Sequence, residues 1–291
     1  MLVFDQIIRN LSEIAGKEVR LLSRYKVGGG CIHSTARLDT SEGRFFLKWN
    51  QTCAPDMFVR EAECLRELKK ANPEPLIIPE VILVKEVNDT PGYLLLEFLE
   101  IGHPQNGDED LGWGLSRLHR IRGENFGFRS ASYCGLTLQD NTWQDNWPKF
   151  FAEQRIGALV SQIQKERGMS SEHLKVYEKL IEKIPSLLPV SSAPLLIHGD
   201  LWSGNYMMTQ RGPALIDPAA YYADREMEMG IMTMFGGFSA RFWSAYNEAY
   251  PLPSDWRSRN RLYQLYHILN HYMLFGGSYG HSAFETAKSY L

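Results

Sequence analysis

The stretch LLIHGDLWSGN, residues 195–205, constrains the fold of this chain more than any other. Its first three residues are apolar and typical of a short buried strand. His198, Asp200, Trp202 and Asn205 then follow within eight residues. A buried strand that ends in polar side chains holds them at a rigid position in the fold. We therefore interpret the apolar residues as a support and the polar residues as the end that does chemistry.

The spacing His-x-Asp-x-x-x-x-Asn is that of a kinase catalytic loop. In phosphoryl transfer the aspartate reaches the attacking hydroxyl, and the asparagine turns back to hold Mg²⁺ on the phosphates. Asp217, isolated at the end of the apolar strand PALIDP, fits a second metal ligand. The alternative for Asp200 and Asn205 is a polar turn that binds only backbone. We predict Asp200 as catalytic residue and Asn205 and Asp217 as magnesium ligands.

Lys48 and Glu61 form a predicted ion pair. Lys48 lies in the apolar strand RFFLKWN, and the predicted helix PDMFVREAECLRELKK places Glu61 on the same stripe as Phe58 and Leu65. A carboxylate on an inward stripe is costly unless it is paired. Such a pair would orient the ammonium toward ATP phosphates, as the strand lysine and helix glutamate do in protein kinases. The alternative is a surface lysine on an edge strand.

A glycine triplet, Gly28, Gly29 and Gly30, stands between two predicted strands. A glycine turn can lay backbone N–H groups over phosphates, because no side chain blocks the approach. The stretch is neither a Walker motif nor a strict G-x-G-x-x-G, since His33 stands where the last glycine belongs. A hairpin turn without a ligand is the alternative. Cys31 is either a thiol made oxidisable by a nearby positive charge or a small buried residue.

Strand and helix signals divide the chain into two parts. Residues 1–98 are strand-rich with one embedded helix, and residues 99–291 are mostly helical, with two short strands. We predict an α+β protein of two lobes, β-rich and α-rich, with the ligand in the cleft between them. The first sixteen residues are typical of an amphipathic helix rather than of a signal peptide.

Composition excludes several partners. The net charge of -3 gives no general attraction to nucleic acid or membrane, and no apolar run approaches the length of a membrane span. The four cysteines form no C-x-x-C pair and are typical of reduced thiols in a cytosolic protein. We therefore expect a cytoplasmic protein with neither nucleic-acid nor membrane partners. We also expect a monomer, although composition carries no information on the oligomeric state.

Two aromatic-rich segments have simpler interpretations. His267 and His271 in YHILNHY stand one helical turn apart, without an acidic third ligand beside them in the sequence. We interpret them as helix-packing and hydrogen-bonding residues rather than as a metal site. In TWQDNWPKFF we assign Phe150 and Phe151 to the core and leave the two tryptophans open.

Three stretches together resemble the fructosamine kinase family, also called ketosamine-3-kinases: HGDLWSGN, IDPAAYYADREMEMGIMTMFGGF and LYQLYHILNHYMLFGGSY. The resemblance covers residues 28–279. The loop and the IDP segment alone would also fit the wider set of kinases that resemble aminoglycoside phosphotransferases and choline kinases. Two residues depart from the family pattern: His33 stands where we expect serine or asparagine, and Glu228 where the family usually has aspartate. We interpret Glu228 as a structural substitution.

The resemblance implies a protein-kinase-like fold and ATP-dependent phosphorylation of the 3-hydroxyl of a sugar joined to an amine. The acceptor is a small-molecule ketosamine or a glycated protein lysine, and loss of the phosphorylated adduct removes the glycation. The family's motifs match Asp200 to the catalytic aspartate, and Asn205 and Asp217 to the Mg²⁺ ligands. Lys48 and Glu61 match the phosphate-orienting pair, and residues Glu97, Phe98 and Leu99 match the hinge that meets adenine.

Trp202 lies between Asp200 and Asn205, and we expect its indole to stack on the sugar or on the linked amine chain. The alternative is that it only packs the loop. Two other functions stay open: a kinase of another small hydroxylated amine, and a nucleotide-binding regulator without turnover. The intact set of Lys48, Asp200, Asn205 and Asp217 argues against the regulator.

Overall fold

The computed structural model describes residues 3–28 and 32–291. The N-terminal part is a five-stranded antiparallel sheet with a helix on each face, in the strand order β1-β2-β3-β5-β4. The predictions for Gly29, Gly30 and Cys31 lie outside the described residues. The elements of this part are α1 (Val3–Ala15), β1 (Leu21–Lys26), β2 (Ser34–Thr40), β3 (Gly43–Asn50), α2 (Met57–Lys70), β4 (Val81–Lys85) and β5 (Gly92–Glu97).

The alternation of side chains along β3 decides where Lys48 points. Leu47 packs with Ile7 of α1 in the core on one face of the sheet. Successive side chains of a strand point to opposite faces, so Lys48 lies on the other face. Its cross-strand partner Leu94 packs there in the same core as Phe58 of α2. A buried lysine therefore faces the helix that carries Glu61.

The C-terminal part is mostly helical and holds three small two-stranded sheets, β6-β7, β9-β10 and β8-β11. A π-helical segment (Phe151–Gly157) joins α4 to α5. The elements are α3 (Gly107–Leu118), β6 (Ser132–Cys134), β7 (Thr137–Gln139), α4 (Trp147–Phe150), α5 (Ala158–Glu166), α6 (Ser171–Leu187), β8 (Leu195–Ile197), β9 (Tyr206–Thr209), β10 (Gly212–Leu215), β11 (Tyr221–Ala223), α7 (Glu226–Phe235), α8 (Ala240–Ala249), α9 (Trp256–Phe275) and α10 (Ser278–Lys288).

The core of this part includes both predicted phenylalanines. Phe150 and Phe151 are fully buried, and so is Trp147, whose indole N–H donates to the Tyr263 hydroxyl at 2.9 Å. Trp143 is instead half exposed. β8 is buried along its whole length, which gives the segment that follows it a fixed origin. No helix among residues 3–28 and 32–291 is long and apolar enough to cross a membrane.

Candidate active site

Lys48 stands between two carboxylates. Its ammonium donates to Glu61 Oε1 at 2.6 Å and is also paired with Asp217 Oδ1. The pair that the helix phase predicts is therefore present. Burial alone would lower the pKa of Lys48, but the charges of Asp217 and Glu61 outweigh it and hold the pKa above its usual range. Lys48 is therefore held in its charged form by its two carboxylate partners.

The same cluster disfavours the ionised form of Glu61. Burial raises the pKa of Glu61, and the neighbouring Asp217 adds to the effect, while Lys48 opposes both. Asp217 differs because its side chain is 47% exposed and faces the cleft. One carboxylate is thus fixed inside the protein, whereas the other can reach a ligand.

Asp217 follows β10 in an unusual backbone conformation. Its φ is +56°, in the left-handed region that aspartate tolerates better than most non-glycine residues. The preceding residue, Ile216, donates its N–H to the Asn205 carbonyl at 3.0 Å. The segment that carries Asp217 is therefore bonded directly to the segment that carries Asn205.

The loop after β8 brings Asp200 and Asn205 together. The Asn205 amide donates from Nδ2 to the Asp200 carbonyl at 2.8 Å and to Asp200 Oδ2 at 3.2 Å. Gly199 has a φ of +85°, and a Cβ there would lie 2.1 Å from the Ala219 carbonyl oxygen. Only glycine permits this turn. The HGD sequence is thus explained by the backbone as well as by the chemistry.

Glu228 holds this loop by its backbone. The side chain is buried in α7 and accepts N–H groups from His198 at 2.6 Å, Gly199 at 3.1 Å and Leu201 at 3.4 Å. Buried backbone N–H donors need an acceptor, because an unpaired buried N–H lowers the free energy of unfolding. Glu228 therefore has the structural role that its place in the sequence suggested, and the groups it serves are those around Asp200.

His198 links the two loops of the site. Its Nδ1 accepts the Asp200 N–H at 3.3 Å, so Nε2 carries the proton that is donated to the Ile216 carbonyl at 2.9 Å. Burial lowers the pKa of His198, which keeps the ring neutral in this arrangement. The sequence did not indicate that the histidine of HGD would connect Asp200 to the residue before Asp217.

The Asp200 carboxyl lies among groups that resist its ionisation. Burial raises the pKa of Asp200 to about 8, and the charge of Glu228 adds to the effect. The Cys134 thiol and a ring nitrogen of His267 lie near this carboxylate, with the three potential ligand atoms within 4.8 Å of one another. Sequence reasoning missed Cys134, and it found no acid near His267 because that acid comes from the distant catalytic loop.

Trp202 is half exposed on the outer side of the loop. Its ring covers Gly204, where a Cβ would lie 2.2 Å from the indole, and it meets the Phe235 ring edge-on at 6.2 Å between centroids. Phe235 in turn contacts the ring of His271, whose Nδ1 donates to the His267 carbonyl at 2.8 Å. The predicted packing role of His271 is what the structure shows.

The segment after β5 connects the sheet to the helical part. Glu97 pairs with Arg211 at 3.0 Å, and the Phe98 N–H donates to the Arg44 carbonyl at 3.3 Å. Leu99 is buried, and no described backbone group bonds to its N–H or carbonyl. Of these predicted hinge residues, Leu99 therefore has the backbone groups free for a nucleotide base.

Gly28 and His33 lie on either side of residues 29–31, which the structure does not describe. A Cβ on Gly28 would meet no described atom within 4 Å. On the other side the His33 ring packs at a tilt of 45° against Phe58, 4.7 Å between centroids, and Asn50 Nδ2 lies 3.2 Å from His33 Nδ1. Burial lowers the pKa of His33 to about 4, and the Lys48 ammonium adds to that. The residue that departs from the family pattern is a neutral packing residue below the turn.

The donor atoms fit a magnesium ion. Asn205 uses Nδ2 for its bonds to Asp200, which leaves the amide oxygen as the ligand atom. Asp217 uses Oδ1 for Lys48 and has its other oxygen on a side chain that is half exposed. Mg²⁺ takes oxygen ligands and keeps several waters, so an amide oxygen and a carboxylate at an open cleft suit it.

Comparison with known proteins agrees with this geometry. The model of the family described as fructosamine kinase matches residues 3–291. A protein of Vibrio cholerae named "Probable ketoamine kinase" is 36% identical over 280 residues, which cover 95% of each chain. The "Protein-ribulosamine 3-kinase, chloroplastic" of Arabidopsis thaliana is 33% identical over 279 residues, covering 95% of this chain and 85% of that one.

Solved structures share the fold. The crystal structure of a candidate fructosamine-3-kinase from Haemophilus somnus 129PT superposes with a TM-score of 0.85 at 27% identity, covering 98% of this chain and 96% of the other. An aminoglycoside phosphotransferase, APH(4)-Ia, in complex with ADP and hygromycin B superposes at 0.67 with 15% identity, covering 98% and 97%, a likeness of fold alone. The predicted two-lobe, protein-kinase-like fold is confirmed, and the chain belongs to the fructosamine kinase family.

Proposed function

We propose that this chain transfers the γ-phosphoryl group of ATP to the 3-hydroxyl of the sugar in a ketosamine, either a small molecule or a glycated protein lysine. One observation carries the proposal: the sheet part and the helical part bring their charged residues together in a chain of the fructosamine kinase family. The sheet part supplies Lys48 and Glu61, and the helical part supplies Asp200, Asn205 and Asp217. Phosphorylation destabilises the adduct, so the reaction leads to deglycation, and we place it in the cytoplasm with a monomeric enzyme.

Lys48 would hold the triphosphate. Glu61 keeps the ammonium in place from inside the protein, which frees the second partner, Asp217, for a metal. Adenine would hydrogen-bond to the backbone of Leu99, where the sheet part (residues 1–98) joins the helical part (residues 99–291). A magnesium ion held by Asn205 and Asp217 would neutralise charge on the phosphates when bound.

Asp200 would align the sugar hydroxyl and accept its proton. A base works best when its pKa lies near the working pH, and burial raises the pKa of Asp200 to about 8. Asn205, donating to Asp200 Oδ2, fixes the orientation of the carboxylate. The loop is itself fixed by Glu228, so Asp200 is positioned before the substrate arrives.

Trp202 would contact the acceptor. The indole is 40% exposed beside Asp200, and Phe235, 43% exposed, extends the aromatic surface. Aromatic rings of this kind stack on the apolar face of a sugar and on an alkyl amine chain. The same rings would also hold a quaternary ammonium group by cation–π contact, so choline belongs among the acceptors to be compared.

The test is a panel of acceptors with magnesium and ATP: fructosyl-lysine, ribulosyl-lysine, a glycated protein, choline and an aminoglycoside. We expect ADP release with ketosamines and phosphate on the sugar 3-oxygen, which phosphorus and proton NMR would locate. Binding of magnesium-ATP with no ketosamine phosphorylated would overturn the proposal, and turnover with choline or the aminoglycoside alone would select the rival kinase.

Trp202 and Trp143 offer a matched pair for the acceptor site, because both are about half exposed. We expect Trp202→Leu to raise the KM for the ketosamine about tenfold and to leave the KM for ATP unchanged. Trp143→Leu should change neither constant. Equal effects of the two substitutions would remove Trp202 from the acceptor site.

A further inference from the structure

Cys134, Asp200 and His267 meet beneath the catalytic loop. They come from β6, from the segment after β8 and from α9, and their sulfur, oxygen and nitrogen ligand atoms lie within 4.8 Å of one another. The phosphoryl transfer described above uses Asp200 alone. The thiol hydrogen-bonds the Asp200 carboxyl, whereas the imidazole has no hydrogen bond among the described residues, and both are metal-ligating groups beside the reacting carboxylate.

His267 has no bonding partner within residues 3–28 and 32–291. Its side chain is 1% exposed, yet neither Nδ1 nor Nε2 has a hydrogen bond. Buried imidazoles nearly always bond at least one nitrogen, so this one needs an explanation. Burial lowers the pKa of His267 to about 3, which leaves the ring neutral with a nitrogen lone pair free to bind a metal.

The neighbouring Asn270 supports the thiol. Its Nδ2 lies 3.3 Å from Cys134 Sγ and 3.2 Å from the Cys134 carbonyl, and Cys134 itself is 3% exposed. Hydrogen bonds to a metal-ligating group fix its orientation and contribute to metal affinity. Asp200 is partly exposed, so an ion can enter from the cleft side.

We propose that Cys134, Asp200 and His267 form a binding site for Zn²⁺ that inhibits the enzyme by occupying the Asp200 carboxylate. Thiolate, imidazole and carboxylate together are a zinc set, and three such ligands leave the fourth tetrahedral position for water. Ligand atoms around tetrahedral zinc are about 3.3–3.7 Å apart, so each has to move by about 1 Å or less. On binding, the Cys134 thiol becomes a thiolate and its proton passes to water.

Zn²⁺ and Mg²⁺ differ in the ligands they select. Magnesium takes hard oxygen ligands and would bind Asn205 and Asp217, whereas sulfur and nitrogen ligands favour zinc. The two ions therefore occupy neighbouring sites, and excess magnesium does not displace zinc from the thiol. Inhibition rests on the proposed catalytic role of Asp200, but zinc binding does not.

Binding is tested first, on the full chain and without any acceptor. Metal-free protein is titrated with Zn²⁺ against a chromophoric chelator, and with Co²⁺ for the absorption band that a cobalt–thiolate bond produces. We expect one ion per chain, and at least tenfold weaker binding in each of Cys134→Ser and His267→Gln. Cys53→Ser and His281→Gln, a thiol and an imidazole outside the site, should bind zinc as the parent does.

Inhibition is tested next, at buffered free Zn²⁺ with saturating magnesium and ATP. We expect the zinc concentration for half inhibition to rise at least tenfold in Cys134→Ser relative to Cys53→Ser, each normalised to its own zinc-free rate. The site is overturned if the parent binds no zinc at micromolar concentration, or if Cys134→Ser and His267→Gln, folded by circular dichroism, bind it equally well. Zinc binding without ketosamine turnover would contradict only the proposed function.

Discussion

The two sides of the cleft hold their charged groups by different means. On the sheet side, Lys48 is buried between Glu61 and Asp217 and keeps its charge because opposite charges surround it. On the loop side, no cation among the described residues bonds to Asp200, and its supports are the Asn205 amide, the Cys134 thiol and the backbone bonds of Glu228. Charge pairing thus fixes a group that must stay ionised, whereas a group that must exchange a proton is held by hydrogen bonds where burial and the negative charge of Glu228 raise its pKa.

The largest effect is expected on the loop side at Asp200. Asp200→Ala should reduce turnover by about 10³-fold or more, because the base and the alignment of the hydroxyl are lost together. Binding of magnesium-ATP, measured by calorimetry, should be retained. Asp89→Ala, in the exposed turn between β4 and β5, is the control and should leave turnover unchanged. Retained activity in Asp200→Ala would exclude Asp200 as the catalytic residue.

Glu228 tests whether the loop depends on its backbone bonds. Glu228→Ala leaves the N–H groups of His198, Gly199 and Leu201 buried without an acceptor, and we expect the free energy of unfolding to fall by about 3 kcal/mol. Urea denaturation measures it. Glu178→Ala, on the exposed face of α6, should change it little. An equal decrease in the free energy of unfolding in both variants would show that the hydrogen bonds accepted by Glu228 do not stabilise the loop.

Glu61 tests the sheet side. In Glu61→Gln the Lys48 ammonium keeps only Asp217 as a charged partner and shifts toward it, which withdraws both from phosphate and metal. We expect kcat/KM for ATP to fall about 10²-fold, as for a displacement of about 1 Å at an aligned group. Glu178→Gln serves as the matched control. A variant that is as active as the parent would show that Asp217 alone orients the lysine.

The smallest effect concerns His33, which lies beside the lysine. Its folded pKa of about 4 is below the ordinary value of 6.5, so the folded state binds fewer protons between these values. The contribution of His33 to stability is complete above pH 6.5 and is lost as the pH falls to 4. Discounted for its partial exposure, the loss is about 2 kcal/mol.

His33→Asn, the residue type that the family resemblance leads us to expect, should remove this part of the acid sensitivity. Chemical denaturation of both proteins at pH 7 and pH 4.5 compares them, and the other buried histidines contribute equally to each. If the two proteins lose the same stability on acidification, His33 is not held neutral by its surroundings.

Residues set by local periodicity could be predicted from the sequence. Glu61 follows from the helix phase, Lys48 from its place in an apolar strand and from the partner that Glu61 needs, and Asp200 and Asn205 from the fixed spacing of a short loop. Contacts between distant segments could not be predicted in this way. Cys134 and His267 meet Asp200 only through the packing of β6 and α9, and His198 meets Ile216 only because the loop turns at Gly199. These contacts depend on the tertiary fold, for which a single sequence holds no periodic signal.

The ion pair between Lys48 and Asp217 also bears on the order in which ligands arrive. Each partner is the group that a ligand would need: the ammonium for a phosphate, and the carboxylate for a metal. A free nucleotide would leave Asp217 uncompensated, and a free magnesium ion would leave Lys48 with one carboxylate fewer. The magnesium–nucleotide complex brings both charges at once. When it binds, the ion pair between Lys48 and Asp217 would be replaced by one between Lys48 and a phosphate and one between Asp217 and magnesium, so that neither side chain is left unpaired. We therefore expect the cleft to take up the preformed magnesium–nucleotide complex in preference to either component.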